Sequence, residues 1–329
     1  MNDHLIALAF GIAEKMQYGR LTVIVPDGEV RQFQGPDDGP EAVLQLNSAR
    51  ALQRFAVGGS LGFAEAYLDG DWDSPDLPRL LELLARNESA YEEHFHGRQW
   101  FRWLARAGHI FRSNSKRGSR RNILAHYDLG NTFYQQWLDP SMTYSSARFE
   151  KSDDTLESAQ TAKYRALIER LSLSADHHLL EIGCGWGGFA EFAARETGAK
   201  ITAITISDEQ HSFAAKRIQK AGLNEQVEIR LQDYRDVVGQ FDRIASIEMF
   251  EAVGESYWPA FFDKLANVLQ PSGVIGLQII TIADRYFETY RRSADFIQRH
   301  VFPGGMLPSP RALQRQLERA GLQRLSETT

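Results

Sequence analysis

The rhythm of apolar and polar positions changes several times along the chain. Residues 1–20 carry the spacing of a helix. From Leu21 short alternating runs take over: LTVIV, then EVRQF after the turn residues Pro26, Asp27 and Gly28, then AVLQL after a Gly/Pro/Asp-rich loop at 35–40. A helical stretch over 47–69, the loop GDWDSP and the helix DLPRLLELLARN follow. Residues 1–90 therefore read as a small α+β domain that carries no catalytic constellation of its own.

Over 98–112 the period is helical: Trp100, Trp103, Leu104, Ala107, Ile110 and Phe111 share one face, and Arg98, Arg102 and Arg106 lie on another. The polar, basic SNSKRGSRR after it reads as a linker. From about 155 a helix leads into strand–helix alternation, with strands predicted at HLLEI (178–182), KITAIT (200–205), VEIRL (227–231), FDRIASI (241–247) and VIGLQII (274–280). Such alternation is the pattern of a parallel sheet with right-handed crossovers. LQRLSE at 322–327 is a candidate sixth strand.

Composition narrows the class. The 329 residues are 43% hydrophobic and 24% charged, with no apolar run long enough to span a bilayer. The N-terminal LIALAFGIA run is short, follows Asp3 and has no basic leader, so it does not read as a signal peptide. A lone cysteine, Cys184, excludes an internal disulfide framework, and nine scattered histidines show no metal-ligand spacing. The net charge of -6 hides an asymmetry. Between His94 and Tyr127 there is no acidic residue, yet Arg98, Arg102, Arg106, Arg112, Lys116, Arg117, Arg120 and Arg121 all fall there.

The most specific motif is LLEIGCGWGG, Leu179 to Gly188: a strand, a glycine turn, and a helix starting near Gly187. Gly183 and Gly185 let the backbone bend and approach a ligand closely. The preceding acid, Glu181, and the absence of GxGxxG spacing point away from dinucleotide dehydrogenases. The pattern resembles class I methyltransferases, in which the acid orients the loop around the methionine end of S-adenosylmethionine. At the next strand tips stand Thr205, Ser207, Asp208 and Gln210, where a ribose would lie. Asp233 and Tyr234 follow, one able to accept from an adenine amine and the other to cover the ring; simple packing at a strand end is the competing reading for Tyr234. Ligands of open α/β sheets bind at the carboxyl ends of strands, where these segments converge.

HYDLGNTFYQQWLDPSMTYSSARFE (126–150), IGCGWGGFA (182–190), TISDEQ (205–210), LQDYRD (231–236), MFEAVG (249–254) and FPGGMLPS (302–309) together resemble the cyclopropane-fatty-acyl-phospholipid synthases and mycolic acid cyclopropane synthases. The resemblance runs from about 120 to 310 and more loosely over the N-terminal part. It implies a Rossmann-like class I methyltransferase domain over 126–329, a basic linker at 116–125 and an additional N-terminal α+β domain over 1–115. It also implies a cofactor held by Tyr144, Ser145, Glu181, Gly183, Gly185, Thr205, Gln210, Asp233 and Tyr234. The reaction implied is transfer of the methyl group of S-adenosylmethionine to a cis double bond of a phospholipid acyl chain. In the family a bound bicarbonate ion then removes a proton and the ring closes.

The bicarbonate ligands in the family include a Cys amide, a Glu, a His and a backbone group two residues after that His. The matching positions here are Ser146, Glu251, Gln278 and Ile280. Neutral Gln278 supplies no cation, and Glu248 adds a carboxylate where family members often have Gly. The two carboxylates can serve as general base or repel bicarbonate. Two products follow: a cyclopropane, or a methyl-substituted olefin from loss of a different proton, toward which Gln278 tilts the reading. A class I sheet has seven strands, and the pattern here ends near the sixth. The domain is therefore expected to be incomplete at its C-terminus or completed by another chain.

A lipid substrate gives segment 98–121 a use, with cations against anionic headgroups and Trp100, Trp103 and Phe111 in the interface. The expected setting is then the cytoplasm, peripheral to the inner face of the membrane. The competing reading packs the aromatic face between domains. Nucleic acid is disfavoured by the net charge, and a homo-oligomer is left open. Two other readings stand beside the lipid enzyme: a small-molecule methyltransferase, and a non-catalytic binder of lipid or cofactor.

Overall fold

The computed structural model describes residues 10–90, 130–292 and 294–328. The basic aromatic segment 98–121 and the linker 116–125 lie outside them. The chain divides into two compact units, Met1–His109 with Arg292–Arg299, and Ile110–Arg291 with His300–Thr329. The division is not sequential, because the short stretch Arg292–Arg299 belongs with the first unit.

In the first unit four strands, β1 (Tyr18–Ile24), β2 (Val30–Gln34), β3 (Asp37–Leu46) and β4 (Trp72–Asp73), form a sheet of order β2-β1-β3-β4. Alternate residues of β1 are buried, which puts Leu21 and Val23 into a core with Phe33, Leu46, Trp72, Leu80 and Leu83. Helices Arg50–Leu68 and Leu77–Arg86 complete that core, the second capped by Asp76, whose carboxylate accepts the Arg79 amide. The helix expected over 1–20 does not reach its end: β1 takes over at Tyr18, pairing with both β2 and β3. Gly19 sits there at φ 76°, where a Cβ would meet the Pro40 carbonyl oxygen at 2.2 Å. β4 went unforeseen because two residues carry no period. Trp72 anchors it, stacked on Phe63 at 4.2 Å with its Nε1 donating to the Phe63 carbonyl at 2.8 Å.

The second unit holds β5 (His178–Ile182), β6 (Lys200–Thr205), β7 (Val227–Leu231), β8 (Phe241–Ile247) and β9 (Leu269–Gln278) in the order β7-β6-β5-β8-β9. Every pairing is parallel. The first four strands occupy the predicted apolar runs. β9 begins at Leu269 rather than Val274, because Phe241 already pairs with Leu269 across a register shift. Leu179, Leu180 and Ile182 of the central strand are at most 2% exposed, each worth about 1.5–3 kcal/mol of burial. Helices Leu156–Leu171 and Gly188–Thr197 pack on one core; Trp258–Val268 and Pro310–Arg319 pack on a second. The architecture is Rossmann-like α/β, with the strand order reversing beside β5.

The sixth strand does not form. After the left-handed Gly321, residues 322–328 join no ladder and Leu325 is 76% exposed. With apolar residues only at Leu322 and Leu325, the segment has no alternating face to bury. Among the described residues no helix is long and apolar enough to cross a membrane.

Candidate functional site

Because β5, β6, β8 and β9 run parallel, their carboxyl ends deliver four loops to one edge of the sheet. The first is the glycine turn. Gly183 and Cys184 both donate their amides to the Ile204 carbonyl at 3.0 Å, folding the turn back onto β6. Gly183 has φ 83° and a Cβ there would meet Met249 Cγ at 2.6 Å, so the position excludes side chains twice over. A Cβ at Gly185 would meet nothing within 4 Å, which leaves this side of the loop open to a ligand. Gly188 begins the helix; a Cβ there would lie 2.8 Å from the Ser141 carbonyl and 2.9 Å from the Tyr164 hydroxyl.

Glu181 is 3% exposed and its Oε2 has no hydrogen-bond partner among the described residues. Burial pushes its carboxyl up to about 8. An orphaned buried acceptor at the foot of an open glycine turn fits an ammonium group, which S-adenosylmethionine carries at its amino-acid end. Cys184 is buried and its thiol is pushed well up by the same desolvation.

The second loop is built around buried hydroxyls. Thr205 Oγ1 donates to Gln210 Oε1 at 2.9 Å and accepts the Ser207 amide at 3.2 Å; Ser207 Oγ caps the helix Asp208–Lys220 by accepting the Gln210 amide. Thr205 and Gln210 thus brace one another at 5% exposure each. Asp233, expected to accept from an adenine amine, is held in an ion pair: Oδ1 accepts from Arg235 Nε at 2.8 Å and Oδ2 from Nη2 at 2.6 Å. The Tyr234 ring meets Phe261 edge-on at 5.3 Å with the Arg235 guanidinium 5.4 Å from its centroid.

Residues 139–146 form a strap across the glycine-loop helix. Asp139 is buried and accepts the Ser141 and Thr143 amides at 3.0 and 3.2 Å. Thr143 Oγ1 bonds the Tyr164 hydroxyl. Arg217 reaches three carbonyls, Ser141 at 2.5 Å, Pro140 at 2.9 Å and Trp186 at 3.2 Å. Trp186 Nε1 donates to Asn131 Oδ1 at 2.6 Å. Tyr144 packs among Tyr134, Trp137 and Phe302, with ring centroids at 5.7, 5.5 and 6.3 Å. Burial, then the charge of Glu248, raises its phenol. Ser145 Oγ accepts from Lys163 Nζ at 2.6 Å, and its carbonyl accepts from Gln160 Nε2 at 2.8 Å. Lys163 is 6% exposed, and burial lowers it to about 8 against the opposing pull of Glu248 and Asp139.

The ends of β8 and β9 carry the acids. The Glu248 amide donates to the Gln278 carbonyl at 2.9 Å. Glu248 Oε1 accepts from the Ser146 amide at 3.0 Å, from Ser146 Oγ at 2.6 Å and from Gln278 Nε2 at 2.8 Å. Gln278 Nε2 also lies 3.0 Å from Ser146 Oγ. Glu251 Oε1 accepts the Ile280 amide, and its Oε2 is buried without a partner among the described residues. Burial foremost, with Glu248 adding to it, raises Glu251 to about 7. The FPGGMLPS segment closes on this acid: the Met306 amide donates to the Glu251 carbonyl at 2.8 Å, and Ile282 to Pro308 at 3.0 Å. Ser146, Glu248, Gln278, Glu251 and Ile280 are thus brought together.

Sequence reasoning missed Lys163, Gln160, Arg217, Tyr164 and Asn131. One signal was present. In the helix Leu156–Leu171 the buried stripe runs through Ala159, Gln160, Lys163, Tyr164, Leu167, Ile168 and Leu171, so an amide and an ammonium interrupt an otherwise apolar face. Such a break in period marks polar groups with buried partners.

Residues 114–328 match the family described as mycolic acid cyclopropane synthetase. Among curated relatives, the tuberculostearic acid methyltransferase UfaA1 of Mycobacterium tuberculosis is 37% identical over 305 residues, 89% of this chain and 69% of that protein. The cyclopropane-fatty-acyl-phospholipid synthase of Escherichia coli K12 is 36% identical over 280 residues, 84% of this chain and 70% of that one. Among solved structures, the mycolic acid cyclopropane synthase CmaA1 complexed with SAH and CTAB superposes with a TM-score of 0.59 at 31% identity, covering 63% of this chain and 76% of the other.

Proposed function

This chain belongs to the mycolic acid cyclopropane synthetase family, whose members are S-adenosylmethionine-dependent methyltransferases, and on that premise we propose that it methylates the cis double bond of an unsaturated phospholipid acyl chain. The observation that carries the reading is the meeting of two features at one sheet edge: an open glycine turn over an orphaned acid, and a half-buried pair of carboxylates with hydrogen-bond donors around them. S-adenosylmethionine, when bound, supplies an electrophilic methyl group. Glu181 and the Gly183–Gly185 turn would hold its amino-acid end, with Tyr144 and Ser145 on the strap and Thr205 and Gln210 at the tip of β6. An alkene is a weak nucleophile, so catalysis rests on holding it close in a water-poor site. The aromatic group Tyr134, Trp137, Tyr144 and Phe302 provides ring faces that favour developing positive charge. Glu251, raised to about 7, is placed to take up a proton near neutral pH.

We read the product as a methyl-substituted olefin, supported by neutral Gln278 and by the named activity of the tuberculostearic acid methyltransferase relative. Ring closure is the second reading, favoured by the likeness to the cyclopropane synthase of E. coli. The lipid surface is proposed to be met through the basic stretch 98–121, from the cytoplasmic side. Mass spectrometry with gas-chromatographic separation of fatty acids, after incubation with S-adenosylmethionine and cis-unsaturated phospholipid vesicles, tests the reaction and its product. We expect gain of one methylene with the double bond retained. The same gain without a double bond means ring closure. Untouched acyl chains with unconsumed cofactor sink the enzyme reading.

A further inference from the structure

The bicarbonate ion implied by the family resemblance does not fit these residues. Its expected donors include the Ser146 amide and the side chain at 278. In this chain both already converge on Glu248 Oε1, together with the Ser146 hydroxyl, at 2.6–3.0 Å. The Ile280 amide is likewise taken by Glu251. A free anion brought here would have to displace one carboxylate and sit beside the other.

The departures from the family pattern are also not independent. Ser146 in place of Cys, Gln278 in place of His and Glu248 in place of Gly are three side chains that hydrogen-bond one another. A hydroxyl and an amide are the neutral donors that a carboxylate needs. The backbone at Glu248 is unusual as well. With φ 47° it is left-handed, a conformation unfavourable for a side-chain-bearing residue and freely open to glycine. A glutamate stands at this position against its backbone preference.

We propose that the Glu248 carboxylate occupies the anion's place, so that methyl transfer by this chain needs no bicarbonate and the departing proton passes to the Glu248–Glu251 pair. The inference rests on the methyl-transfer reading above. In the balanced sequence the sulfonium carbon–sulfur bond breaks as the alkene electrons form the new carbon–carbon bond. A carbon–hydrogen bond next to the resulting cation then breaks, its electrons staying in the lipid as a ring or double bond and its proton going to a carboxylate.

The test is methyl transfer to unsaturated phospholipid vesicles, measured in carbon-dioxide-depleted buffer and again with added bicarbonate, for the wild-type chain, Glu248→Gln and Glu248→Gly. SAH binding measured by calorimetry reports that each variant is folded. We expect the wild-type rate to be the same in both buffers, and Glu248→Gln to lose about 100-fold or more with SAH affinity kept, the scale of a lost general base. We expect Glu248→Gly to regain rate when bicarbonate or formate is added. A wild-type rate that collapses without bicarbonate and returns with it overturns the inference while leaving the methyl-transfer reading intact. Wild-type activity in Glu248→Gln, or a Glu248→Gly variant that no small anion rescues, also overturns it. No methyl transfer by wild type in either buffer overturns both.

Discussion

Glu181 concentrates the physics of the cofactor loop in one side chain. Its carboxyl is pushed by burial from an ordinary 4.5 up to about 8. The folded-state value lies above the unfolded one, so the neutral acid stabilises the fold fully below 4.5, and that contribution is lost as pH rises through about 8. The ligand-free protein should therefore melt at progressively lower temperature between those limits, and Glu181→Gln should flatten the slope. Thermal melts of both proteins across that window check this; parallel slopes would mean that Glu181 ionises freely in the fold. The same orphaned oxygen that makes the empty fold pH-sensitive is the one a cationic cofactor would satisfy.

At the level of elements, the site depends on how helices fasten the strap at 139–146. Arg217, on the helix after β6, spends its guanidinium on the carbonyls of Pro140, Ser141 and Trp186 and thereby ties the strap to the glycine loop. Arg217→Met should strand three acceptors and lower stability by about 1–3 kcal/mol, with SAH affinity weakened more than this loss of fold predicts. Denaturant melts alongside calorimetry separate the two effects, and unchanged affinity would deny the strap a part in cofactor binding. The strands of this unit were legible because β5, β6 and β8 are rich in apolar residues between turn residues, as strands covered on both faces require, while the edge strand β7 alternates as VEIRL and buries only Val227. The glycine loop and the acids Glu248 and Glu251 were legible by motif. The fastening was not: Arg217 and Lys163 lie on helices whose register had to be known before their partners were. Asp233 adds a partner that the motif reading did not use. Its carboxylate is paired with Arg235, two residues on in the same LQDYRD motif.

Across the whole molecule, the two units carry separate hydrophobic cores, one drawn from residues 10–90 and the others from 134–322. Separate cores allow separate melting. Only the second unit contains the glycine turn, so SAH should raise its transition alone, by about 2.7 kcal/mol at a hundredfold excess over the dissociation constant. Scanning calorimetry with and without SAH checks this, and a single transition shifting as one would show that the units unfold together. The non-sequential division, with Arg292–Arg299 counted in the first unit and its Arg299 paired to Glu65 at 2.8 Å, was beyond sequence reasoning. A short helical segment inside one domain's span gives no local sign that it packs with another.

The left-handed backbone at Glu248 has a consequence for how this chain evolves. Glutamate and glycine codons differ by a single base, and here the change toward glycine relaxes the backbone. Relaxation of the backbone by about 1–2 kcal/mol offsets the hydrogen bonds from Ser146 and Gln278 that the change gives up, so a mutagenised population screened only for folded protein should tolerate Glu248→Gly. Screened for the methylated lipid, the same lineages should hold the glutamate. At this one codon, folding leaves the choice nearly open and chemistry makes it.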